Sequence, residues 1–147
     1  MTREERELQE SLRRLAATDG GRRLLQLSLR GIESGEHELA AGCWTARGDA
    51  GCLFQQSYWQ GVAEGVFEDD GKARAWVSGV AGRAEYHRVI DVIAAFDRLA
   101  RAQYARSGRR LGPPDLDRSA WKAAVSQMLV DVLQEQTAPD REPISVI

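Results

Sequence analysis

Apolar residues recur at helical spacing over most of the chain and predict a succession of amphipathic helices. Leu8, Leu12, Leu15 and Ala16 mark one stripe of a helix from Arg3 to Ala17. Its wet face carries pairs one turn apart, Arg3 with Glu7, Arg6 with Glu10 and Glu10 with Arg14. Thr2 caps it, and Glu5 three residues on completes a capping box. Asp19, Gly20 and Gly21 read as its exit, because glycine readily takes the left-handed conformation of a helix end. A coiled coil would need three or four heptads, and only about two are visible.

From Arg22 to Glu33 two periods compete. Leu25, Leu29 and Ile32 fit a helix, whereas Leu25, Leu27 and Leu29 alternate with Gln26, Ser28 and Arg30 as in a strand. Leucine favours helix, and the segment has no β-branched residue before Ile32, so helix is the expectation and a short strand the alternative. Ser34 and Gly35 interrupt the pattern, and Leu39 to Thr45 reads as a short extended segment before the turn from Ala46 to Gly51. Asp49 suits the N-cap of a helix from Ala50 to about Glu64, with Phe54, Tyr58, Gly61 and Val62 on one face. Gly61 and Gly65 mark either close packing or the helix end.

Asp70 can cap a short helix from Gly71 to Val77. The longest helix runs from Gly82 to Ser107, with Tyr86, Val89, Ile93, Phe96 and Ala100 as its core stripe, flanked by Ile90, Val92 and Leu99. Gly108 ends it, and a loop around Pro113 and Pro114 leads to Ser119, the expected cap of a last helix reaching about Glu135. Trp121, Val125, Met128, Leu129 and Val132 form the apolar face of that helix. The prolines at 139 and 143 predict an extended tail over 139–147. The fold class expected is mainly α: a single-domain irregular helical bundle over 1–138, with an optional two-stranded element between residues 24 and 46, formed by Leu25 to Leu29 and Leu39 to Trp44.

Composition narrows the function classes. The 147 residues balance 20 basic against 22 acidic side chains, so no overall field would hold a nucleic acid or an anionic membrane. No window is apolar enough to span a bilayer and the N-terminus lacks the apolar core of a signal peptide, which points to a cytoplasmic protein. The two cysteines are therefore expected as thiols.

The unusual chemistry gathers between Gly42 and Gly65. His37, Asp49, Cys43 and Cys52 are four ligands of the types zinc accepts, but they lack the close CxxC pair that pre-forms half of a structural site. Cysteine is also among the most buried residue types as a small hydrophobe, so quiet thiols are the expectation and no cofactor is assigned. Cys52 falls in the expected first turn of its helix, where the dipole favours thiolate, which leaves a redox or nucleophilic role as an alternative. His87 lies one turn before Asp91, a spacing that can fix an imidazole tautomer for acid–base work. No Walker, Rossmann, zincin or nucleophile-elbow motif is present. The acidic turn Glu68 to Gly71 fails the calcium-loop spacing.

Trp44, Phe54, Tyr58, Trp59, Phe67 and Trp76 form an aromatic concentration. Tyr58 and Trp59 are adjacent, so on a helix they cannot both face one core, and one of them is expected at an edge facing a pocket or partner. Arg101, Arg106, Arg109 and Arg110 end the long helix and offer an anion contact. The long loop before Ser119 does not match a helix-turn-helix, so nucleic acid is the less favoured partner. The expectation is a non-enzymatic interaction or regulatory protein, self-associating or binding another protein through Trp44, Phe54, Tyr58 and Trp59. The alternatives are a small enzyme or a redox- or metal-responsive protein using Cys43 or Cys52 with His37 or His87, and a nucleic-acid module using the arginine cluster.

Overall fold

The computed structural model describes residues 1–40, 50–69, 83–107 and 118–137. Among them are five helices, α1 (Arg3–Ala16), α2 (Asp19–Ser34), α3 (Leu53–Ala63), α4 (Arg83–Ser107) and α5 (Arg118–Thr137), and two short strands, β1 (Glu38–Leu39) and β2 (Ala50–Gly51). The fold is mainly α, and the strand pair is a minor addition. The expected helix over 71–77, the proline loop and the tail over 139–147 lie outside the described residues.

α1 forms as its sequence dictates. Thr2 Oγ1 accepts from the Glu5 amide at 3.2 Å while Glu5 returns a carboxylate oxygen to the Thr2 amide at 3.0 Å, closing the capping box. Its buried stripe is Leu8, Ser11, Leu12, Leu15 and Ala16. On the wet face Arg3 pairs with Glu7, but Arg6 donates to the Met1 carbonyl and Glu10 pairs with Arg13.

The glycines after α1 do not end it. The helix closes at Ala17, and Thr18 opens α2: its hydroxyl lies 3.1 Å from the Leu15 carbonyl and accepts from the Gly21 amide at 3.1 Å. One threonine thus ties the end of one helix to the start of the next. Gly21 sits inside the first turn of α2 because a Cβ there would fall 2.0 Å from the Leu15 carbonyl oxygen. The contested segment Arg22 to Glu33 is helix throughout, burying Leu24, Leu25, Leu27, Ser28, Gly31 and Ile32. Helix propensity and the stripe through Ile32 outweigh the local alternation.

The strand pair therefore differs from the expected one. Leu25 to Leu29 is helical, and β1 pairs instead with β2 in parallel, Glu38 opposite Ala50 and Leu39 opposite Gly51. α3 begins at Leu53 with Cys52 as N-cap, three residues later than the expected start, because Ala50 and Gly51 are taken up by the strand. Its last turn closes in a Schellman arrangement. Val66 donates to the Gly61 carbonyl at 2.7 Å and Gly65, at φ 74°, donates to Val62 at 3.1 Å.

One hydrophobic core joins the helices. Leu8, Leu12 and Leu15 of α1 meet Leu24, Leu25 and Ile32 of α2, Leu53 and Phe54 of α3, Val89, Val92, Phe96 and Leu99 of α4, and Val125, Leu129 and Val132 of α5. Phe96 stacks on Trp121 with ring centroids 5.0 Å apart. The face of α4 is turned slightly from the expected stripe. Val92, Ala95 and Leu99 are buried, Tyr86 and Ile93 are half-buried, and Ile90 is exposed. α5 starts at Arg118, so Ser119 lies within the helix and is not its N-cap; its expected apolar face is buried in full.

Candidate functional site

The site is built where α2, α3 and the strand pair meet. α2 and α3 cross closely because Gly31 has no side chain: a Cβ there would stand 2.6 Å from the Gln56 carbonyl oxygen. Next to it the buried Ser28 hydroxyl lies 2.9 Å from the Leu53 carbonyl and 3.1 Å from the Leu24 carbonyl. At the far end of the crossing Arg30 grips Glu64 through two hydrogen bonds, of 2.8 and 3.0 Å. Gln60 also donates to Glu64 at 2.7 Å. These bonds, Arg30's first, hold the Glu64 carboxyl below the usual glutamate range.

α3 is more deeply set than an amphipathic surface helix, with Leu53 through Tyr58 all buried. Its polar residues serve the strand pair. The Gln56 amide nitrogen donates to the Glu38 carbonyl at 2.9 Å and approaches the Gly51 carbonyl at 3.4 Å, binding β1 and β2 to the helix. The Gln56 Oε1 atom is buried with no hydrogen-bond partner among the described residues. Nothing in the period of the sequence marked Ser28, Gly31 or Gln56, because their roles depend on a crossing partner distant in the chain.

Tyr58 and Trp59 point different ways. Tyr58 is buried beside Phe54, and its hydroxyl donates toward Asp69 Oδ1 at 3.1 Å, with the Glu68 carbonyl at 3.4 Å. Trp59 is half-buried at the rim. The His37 ring stacks on it, centroids 3.8 Å apart and planes inclined by 17°. A Cβ on Gly51 would lie 3.0 Å from Trp59 Cζ3, so the indole also rests against the β2 backbone. Half-buried Val62 and Phe67 and exposed Val66 continue along the end of α3, with the Phe67 ring filling the space above Gly61. The close packing expected of Gly61 is thus against Phe67, and Gly65 supplies the helix end.

The metal and thiol candidates separate. His37 is engaged with Trp59, and Cys52 is a buried residue at the N-cap of α3. Cys43, Trp44 and Asp49 lie outside the described residues. Among the described residues no group of three or more His, Cys, Asp or Glu side chains converges as metal ligands would. His87 and Asp91 both lie exposed on α4. Arg101 is exposed and shares an open groove of about 520 Å³ with Arg3, Glu4, Glu7 and Arg98; the side chains of Arg106, Arg109 and Arg110 lie outside the described residues. No helix among the described residues is long and apolar enough to cross a membrane.

Comparison of the chain with protein-family models, with curated protein sequences and with solved structures finds no match.

Proposed function

We propose that this chain is a non-enzymatic interaction protein that contacts its partner through the rim formed by Trp59, His37 and the end of α3, and that the partner is a second copy of the chain. The observation that carries the reading is the Trp59 ring. It is half-buried, stacked on one face by His37 and backed by the β2 strand, directly after the buried run Leu53 to Tyr58 of α3. A large aromatic held rigid at a rim loses little side-chain entropy on contact, which is why tryptophan dominates interface hot spots. Val62, Val66 and Phe67 add apolar surface along the same end of α3. Arg30 and Glu64 beside it are already paired with each other, in the manner of a polar rim around an apolar contact.

The test is sedimentation equilibrium of wild type and Trp59→Ala over a wide concentration range. Trp59 lies outside the deep core, so the variant should keep its fold, as checked by far-ultraviolet circular dichroism. The expected result is reversible self-association in wild type, weakened at least tenfold by the substitution, about 1.4 kcal/mol or more, as for a hot-spot aromatic. A wild type that stays monomeric throughout, or a variant that associates as well as wild type, refutes the reading.

A further inference from the structure

A second surface offers different chemistry. The groove between the start of α1 and the C-terminal half of α4 is lined by Arg3, Arg98 and Arg101 with Glu4 and Glu7, three cations against two anions. Glu7 accepts from Arg3 Nε at 3.0 Å and from Arg98 Nε at 3.2 Å. Both guanidinium groups are therefore held by their Nε edges. Arg101, one turn beyond Arg98 on α4, has no ion pair among the described residues. We propose that this groove is an oxyanion site that takes the phosphate group of a small phosphorylated molecule.

A planar guanidinium offers its terminal nitrogens as a fork that matches two oxygens of a phosphate. Glu7 acts as a positioning residue: by engaging two Nε atoms it spends one carboxylate on orienting two cations and leaves their terminal nitrogens for a ligand. Arg101 supplies the cation that Glu7 does not neutralise. Glu4 and Glu7 oppose the anion, so affinity should be weak and salt-sensitive. The groove's volume falls within the range of small-molecule sites. A long polyanion fits less well, because the chain carries a net charge of −2 and a nucleic-acid backbone is held by many cations acting together.

Titration of inorganic pyrophosphate into the full chain at low ionic strength, followed by phosphorus NMR and calorimetry, tests the site. Saturable binding is expected, weakened by about five- to tenfold in Arg101→Ala, the loss of one exposed charge-assisted contact. The melting temperature of that variant should match wild type, because Arg101 is exposed and makes no ion pair among the described residues. Arg23→Ala, the same change of charge on an exposed part of α2, should bind as wild type does. Absence of saturable binding, or equal weakening in both variants, overturns the proposal. A single-stranded oligonucleotide that binds more tightly than pyrophosphate, with a steep salt dependence, also overturns it by assigning the groove to nucleic acid.

Discussion

Replacing Gly31 by alanine puts one methyl group where α2 and α3 cross. Its Cβ would lie 2.6 Å from the Gln56 carbonyl oxygen and 3.1 Å from the Gln56 carbonyl carbon, both main-chain atoms that cannot rotate aside. Two effects of opposite sign compete. In an exposed helix interior the change would stabilise by about 0.8–1.0 kcal/mol through helix propensity. At this crossing α3 must move away, and overpacking of that kind costs about 1–3 kcal/mol. Displacement also stretches the Ser28 hydroxyl contact to Leu53, a buried bond of 2.9 Å worth about 0.5–1.5 kcal/mol. The overpacking and the weakened bond outweigh the propensity gain, so the expected outcome is a net loss of about 0.5–3.5 kcal/mol. For a chain of this size that is a fall in melting temperature of about 2–4 °C per kcal/mol. Urea denaturation at unchanged slope measures it, with Ser28→Ala as a companion and the double variant closing the cycle. Sub-additive losses are expected, because displacing α3 already weakens the Ser28 bond. An alanine variant as stable as wild type, or more so, would refute the close crossing and with it the placement of Trp59 at the rim.

Two further substitutions probe the local chemistry. Thr18→Ala removes both the cap of α2 and the hydroxyl contact to Leu15, and denaturation should report a loss of about 1 kcal/mol, within the usual range for helix caps. Glu64→Gln tests the Arg30 clamp. Because the folded Glu64 carboxyl titrates below its ordinary value, its contribution is fully present above the ordinary glutamate range and is lost as pH falls through the lowered folded value. The pair is half-exposed, so the effect near neutrality should be about 0.2–1 kcal/mol. The stability difference between wild type and variant should therefore shrink on acidification and in high salt; a difference independent of both would contradict it.

The helices were legible in the sequence where a single stripe decided them. Leu8, Leu12 and Leu15, or Trp121, Val125 and Leu129, fix a buried face by local spacing alone, and Thr2 with Glu5 announces a helix start within one turn. Errors came where a residue's role is set by something distant. Gly20 and Gly21 look like a helix exit in isolation, but Thr18 claims the turn for the next helix and the nearby Leu15 carbonyl leaves room only for glycine. Asp49 suits a cap by its local chemistry, while pairing of Gly51 with Leu39 moves the N-cap to Cys52 and the helix start to Leu53. At the candidate site, adjacency alone implied that Tyr58 and Trp59 diverge on a helix. That Tyr58 turns inward to Asp69 and Trp59 outward under His37 depended on partners ten or more residues away, which no local period encodes.

The most direct measurement of the proposed self-association is a dilution series of proton–nitrogen NMR spectra, followed at the tryptophan indole resonances. The Trp59 indole signal is expected to shift or broaden with concentration along with backbone amides near His37 and Val66, while the indole of core-buried Trp121 stays fixed. Spectra that do not change with concentration, or changes confined to residues away from the end of α3, would contradict it.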